Sequence, residues 1–260
     1  MITHIVSLEL RTSSVQGCKQ FYRDQLGFAV IGETADEIRF APTPRVSLIF
    51  RESDEAPAHA HVAFEVPHSA FGEIVRELER RRIAPLQWAD GRIVDEFESG
   101  TNVYFRDCDG NLLEFIAHPG ITEGVVEPSG PFRILYVREI GLPVDDVLAF
   151  RALMVDLLSL RLAKAADDFA FAIGGTAHLV VASKRRRWIP IAMRAVPPSL
   201  KVVLGASDAR TIEGLKERLA MKGMEFGERE GVVFEVEGYE FAVRLDARFA
   251  DVPARLGLNG

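Results

Sequence analysis

One pattern recurs four times along the 260 residues, a strand, a helix and then three short strands, and it restricts the fold more than any other feature. The first copy opens with a strand over residues 3–10. A helix follows, with Ser13 or Ser14 as N-cap and Val15, Cys18, Tyr22 and Leu26 at helical spacing. Gly27 stops it in the manner of a left-handed C-terminal residue, and strands are expected near 28–32, 37–40 and 46–50. The second copy has a strand over 59–66 and a helix capped by Ser69 that carries Phe71, Ile74, Val75 and Leu78. Its remaining strands are expected near 84–88, 101–106 and 112–118. The third runs from 132 to 182, with Asp145 or Asp146 opening its helix. The fourth runs from 200 to about 246, with Ser207 or Asp208 as the cap.

A unit of this kind cannot bury both faces of its strands alone, so each needs a partner. Two four-stranded sheets side by side form a curved, open barrel whose concave side is the natural pocket. The fold class is therefore α+β, four βαβββ modules paired into two open barrels. Periodicity does not say which module pairs with which. Joints rich in Pro, Gly or charge lie at 119–131 and 184–198, and the first supports a boundary near Gly130. The expected division is one domain at 1–125 and a sister domain at 131–250.

Composition narrows the function classes. The net charge of −7 disfavours nucleic acid and anionic membranes. The two basic runs, Arg80–Arg82 and Lys184–Arg187, read as solvated surface, the first at a helix C-terminus where cations suit the dipole. No apolar run reaches the roughly 20 residues of a bilayer span. The N-terminus has no leader-like pattern, so a cytoplasmic location is expected. Cys18 and Cys108 make no disulfide framework; Cys18 reads as core and Cys108 as a neutral substitution in a tight turn.

Alternation along the strands picks out the candidate chemistry. In 59–66, Val62, Phe64 and Val66 form the apolar face, which leaves His59, His61, Ala63 and Glu65 toward the concavity. A polar row there is costly unless it binds something. In the last strand of the same module, Glu114 shares a face with Leu112, Ile116 and His118. His4 lies where His61 would fall when the first two modules are superimposed. Two histidines and a carboxylate presented from strands can occupy one side of a metal ion, leaving positions for water, substrate or dioxygen. His4, His61 and Glu114 are the expected ligands of one divalent ion.

These residues resemble the vicinal oxygen chelate superfamily. The resemblance rests on Ile2–Ile5 around His4, His61–Phe64, and Tyr104–Glu114 with its Asp107-Cys108-Asp109-Gly110 turn, and it covers roughly residues 1–118. It implies the paired βαβββ fold, a metal at His4, His61 and Glu114, and a small-molecule substrate that chelates the metal through adjacent oxygens. Ring cleavage by an Fe(II) extradiol dioxygenase is the leading expectation, with Zn, Mn or Ni open. Tyr104, ten residues before Glu114, matches that subfamily's tyrosine beside the metal. The subfamily's acid–base histidine has no counterpart in 95–98, so His59 or His118 would have to serve. The glyoxalase I reading would need a second carboxylate from the partner module, and 46–50 offers none, while a related glyoxalase-like lyase or isomerase using other acids stays open. A drug- or metabolite-binding protein without turnover is the non-enzymatic alternative, and a homodimer is left open. In the second half Glu139, Lys201 and Glu240 fall near the ligand positions, and the lysine argues against a metal there.

Overall fold

The computed structural model describes residues 1–258, in which two eight-stranded sheets carry the four modules. The first module comprises β1 (Ile2–Thr12), α1 (Val15–Cys18) continued by wide turns over Lys19–Gln25, β2 (Ala29–Glu33), β3 (Glu37–Thr43) and β4 (Val46–Glu52). The second has β5 (His61–Glu65), α2 (Phe71–Arg80), β6 (Val94–Phe97), β7 (Gly100–Arg106) and β8 (Leu112–Ala117). The third has β9 (Tyr136–Val144), α3 (Val147–Leu158), β10 (Arg161–Ala166), β11 (Phe169–Gly174) and β12 (Ala177–Ser183). A small hairpin, β13 (Arg187–Trp188) and β14 (Met193–Arg194), precedes the fourth. That module has β15 (Leu200–Ala206), α4 (Ala209–Met221), β16 (Phe226–Glu228), β17 (Val232–Val236) and β18 (Tyr239–Leu245), and a short α5 (Val252–Arg255) follows.

The sheets do not follow the expected division of the chain at Gly130. One sheet runs β16-β17-β18-β15-β1-β4-β3-β2 and the other β10-β11-β12-β9-β5-β8-β7-β6. The first module is thus joined to the fourth, and the second to the third. In every module the last strand lies parallel to the first, which leaves the far edge of the first strand free. These edges join antiparallel, β1 to β15 and β5 to β9. Backbone alone would let any two first strands pair, so side chains must choose. Gly205 faces His4 across one joint, where a Cβ would collide with the imidazole. Gly141 lies against His61 and Trp188 at the other, where a Cβ would come within 3.0 Å of both.

Both sheets and all the long helices share one apolar core. Val62 and Phe64 of β5 point into it, as the alternation requires, and Phe28 from the first module meets Phe64 at a centroid distance of 5.8 Å. Phe115 stacks on Phe132 at 4.8 Å. Burying each such side chain contributes about 1.5–3 kcal/mol. Three of the four expected caps form: Ser14 accepts from Gly17 N–H, Asp146 from Ala149 N–H and Asp208 from Thr211 N–H. Ser69 does not cap α2; it binds Glu123, and a 3₁₀ turn over His68–Ala70 leads into the helix. The strand expected at 84–88 is also absent. Leu86 makes one backbone bond to Tyr104, and the edge strand forms later, at β6. None of the described helices is long and apolar enough to cross a membrane.

Candidate metal centre and its cavity

The concave face of the β5–β9 sheet encloses a cavity of about 680 Å³, a size suited to a small organic ligand. On it, β5 presents His61, β8 presents Glu114 and β9 presents Glu139, all buried. His61 Nε2 lies 3.5 Å from Glu114 Oε2 and 3.8 Å from Glu139 Oε2. His61 Nδ1 stands 3.3 Å from the Leu112 carbonyl. A proton on Nδ1 would be donated there, leaving the Nε2 lone pair toward the two carboxylates. One donor atom from each of the three residues fits within a mutual spacing of 4.8 Å.

His4, by contrast, is not part of this cluster. It sits in the other sheet, with Nδ1 2.8 Å from Thr3 Oγ1, Nε2 3.6 Å from Asp246, and its ring 4.2 Å from Phe249. Burial lowers its pKa to about 4, against the opposing pull of Asp246. His4 and His61 do hold equivalent places in their modules, but those modules belong to different sheets. Glu139, taken from the sequence as a non-ligand in a metal-free half, supplies the third donor because its module pairs with that of His61.

A β-bulge decides what else faces the cavity. Ala63 pairs with Glu139 and Phe64 with Val137, so Arg138 is an extra residue on β9. It is the bulge that puts Arg138 and Glu139 on one side, where strict alternation would separate them. Arg138 Nη1 donates to Glu65 at 3.0 Å, and its Nε lies 3.5 Å from Glu139 Oε1. Glu65, fully buried, also holds His118 Nδ1 at 3.0 Å. On β7, the Asn102 amide donates to Glu114 Oε1 at 2.8 Å and to the Tyr104 hydroxyl at 3.2 Å.

The two carboxylates of the cluster differ in proton affinity. Burial, then the charge of Glu139, pushes Glu114 well above the usual carboxylate range. Burial would also raise Glu139, but the neighbouring His61 ring and the Arg138 charge outweigh it and hold that carboxyl low. Two buried acids so close are costly without a cation, and a dication would relieve both. The donor set therefore fits a divalent ion.

Of the other expected residues, Tyr104 and His118 line the cavity. Burial and the Glu114 charge raise the Tyr104 phenol, so it stays a neutral donor. His59 is not in the cavity wall; its ring packs on the turn at Gly110. Two cavity residues had escaped notice. His178 on β12 pairs with Glu139 across the sheet, and burial followed by the Arg138 charge keeps its imidazole neutral. Trp188 covers His61 at a centroid distance of 5.1 Å. The tail of the basic run just before it, Arg186 and Arg187, reaches the cavity mouth along with Arg161 and Lys164.

Residues 2–115 match the family model described as Glyoxalase/Bleomycin resistance protein/Dioxygenase superfamily. This match, over a little under half of the chain, is consistent with the vicinal oxygen chelate superfamily. Its fold is the paired βαβββ architecture of that superfamily. Among solved structures, a candidate dioxygenase from Bacillus subtilis subsp. subtilis str. 168 aligns with a TM-score of 0.68 at 16% identity, over 99% of this chain and 91% of that one. Glyoxalase I from Zea mays aligns with a TM-score of 0.58 at 12% identity, over 98% and 97%. At such identities these structures show a shared fold, and the reaction has to be argued from this chain's own residues. No curated protein matches the sequence.

Proposed function

We propose that this chain is a metal-dependent enzyme that transfers a proton on a small substrate bearing two adjacent oxygens, as a glyoxalase-like isomerase or lyase would. The observation that carries the reading is the His61–Glu114–Glu139 cluster on the cavity floor. The sequence reading lacked a second carboxylate from the partner module, and Glu139 is that carboxylate. Losing His4 from the ligand set removes one of the two histidines that favoured an Fe(II) oxygenase.

His61, Glu114 and Glu139 would hold the ion, which when bound polarises the adjacent oxygens and acidifies the neighbouring C–H. His178, neutral and beside Glu139 in the sheet, takes up the substrate proton. The Tyr104 phenol, oriented by Asn102, donates to the oxygen on which negative charge grows. Glu65 and Arg138 fix His118 and Glu139 in place from behind. Trp188, Phe169 and Phe171 line the cavity and limit water. The cations at its mouth favour an anionic substrate.

Deuterium uptake from D2O into α-hydroxycarbonyl compounds, followed by NMR with and without added Mn(II), Zn(II) or Ni(II), tests this directly. Exchange that needs the metal and is lost in His178→Asn is the expected result. The competing reading is extradiol ring cleavage, favoured by Tyr104 standing directly across the sheet from Glu114. Dioxygen consumption with catechols under Fe(II), with no deuterium uptake, would establish that reading instead.

A further inference from the structure

The first and second modules meet at α1 and at the β7–β8 turn. Cys18 comes from the helix; Cys108 and Asp109 come from the turn. Their donor atoms form a nearly equilateral triangle. The two Sγ atoms are 3.7 Å apart, and Asp109 Oδ2 lies 3.8 Å from each. A tetrahedral zinc ion with Zn–S of about 2.3 Å and Zn–O of about 2.0–2.2 Å requires ligand separations of about 3.8 Å between sulfurs and about 3.6 Å from sulfur to oxygen. The observed spacings match three corners of that tetrahedron within about 0.2 Å.

The surroundings hold these donors in place. Asp109 Oδ1 accepts from Ser13 N–H at 2.9 Å, which fixes the carboxylate and leaves Oδ2 toward the sulfurs. The turn itself is braced by Asp107, whose carboxylate accepts from Asp109 N–H at 3.0 Å, from Asn111 N–H at 2.8 Å and from the Tyr22 hydroxyl at 2.6 Å. Cys18 is buried and its thiol reaches Thr12 Oγ1 at 3.1 Å, whereas Cys108 is exposed and gives an ion a way in. Water would complete the fourth corner of a bound ion.

We propose that Cys18, Cys108 and Asp109 form a binding site for a thiophilic divalent cation such as Zn²⁺, clamping the first module to the second. Binding releases two thiol protons to solvent, so uptake strengthens as pH rises. The site is independent of the His61–Glu114–Glu139 cluster, which contains no sulfur.

That difference gives the test. The reduced full-length protein is titrated with Co(II) under anaerobic conditions, and the near-ultraviolet sulfur-to-cobalt charge-transfer absorption is followed. The expected result is an absorption that saturates at one thiolate-bound cobalt per chain, is displaced by Zn(II), and persists in Glu139→Ala. Cys108→Ser, at an exposed turn position, should fold and lose the absorption; Asp109→Asn should keep it with affinity lowered at least about tenfold. No charge-transfer absorption in the folded, reduced wild type at excess cobalt overturns the proposal. So does a two-hydrogen loss of mass with both thiols consumed and no cation taken up, which would make the pair a disulfide.

Discussion

Replacing Glu114 with glutamine tests the electrostatics of the cavity floor most directly. The side-chain donors of Glu114 and Glu139 lie within 4.8 Å of each other in a buried site. At an effective dielectric constant of about 20, two full negative charges at that separation repel by about 3.5 kcal/mol. Without a cation, the wild type must carry this repulsion or keep a proton on Glu114. That proton is bound in the folded state, where the carboxyl is pushed up by burial and by Glu139, but not in the unfolded state above about pH 4.3. The folded form therefore binds more protons than the unfolded form, and stability falls as pH rises above that value. Glu114→Gln removes the charge and keeps the acceptor for Asn102. In excess chelator at pH 8 the variant should be more stable than the wild type by about 2–3 kcal/mol, on the order of 5–10 °C in Tm. The gap should close toward pH 4. Adding a divalent ion at a hundredfold over its Kd should raise the wild type by about 2.7 kcal/mol and leave the variant nearly unmoved, reversing the order. Thermal unfolding by circular dichroism at pH 4, 6 and 8, with and without metal, reads all of this. A variant less stable than the wild type in chelator at pH 8, or a gap that does not change with pH, would refute the reasoning.

Elemental analysis should find the divalent ion of the cavity lost in His61→Ala and in Glu139→Ala, and retained in His4→Ala; loss in His4→Ala alone would restore the ligand set read from the sequence. Tyr104→Phe should keep its metal and lose roughly 10²-fold in kcat, measured on whichever substrate the exchange experiment identifies; an unchanged kcat would make the phenol a packing residue. Gly205→Ala pushes a methyl into the His4 ring and should cost about 1–3 kcal/mol in urea unfolding, with no effect on a site in the other sheet. Phe64→Ala, at the meeting of the first two modules, should cost about 3–5 kcal/mol; a smaller loss would mean the two sheets do not share one core.

Local patterning made the modules legible. Helix caps at Ser14, Asp146 and Asp208 were legible to within one residue from short-range hydrogen bonding, and so was the stop at Gly27. The inward and outward faces of β5 followed from a two-residue period, which placed His61 on the concave side and Val62 and Phe64 in the core. Ser69 was misassigned because a distant partner, Glu123, competes for it. Such a competitor has no local signature.

His61 and Glu114 belong to one module, so their shared site could be read from strand period and spacing alone. The third donor could not. His4 and Glu139 occupy matching places in the repeat, and which of them meets His61 depends on whether β5 joins β1 or β9. The modules present similar strand edges, and the choice between them is made by contacts between residues far apart in sequence: glycines that admit a ring, and a bulge that turns Arg138 and Glu139 to one side. The sequence determined the modules and two residues of the buried cluster, because those rest on interactions between near neighbours. Only the tertiary structure decided the pairing, and with it the identity of the third, because pairing is a competition among edges that the chain brings together after each module has formed.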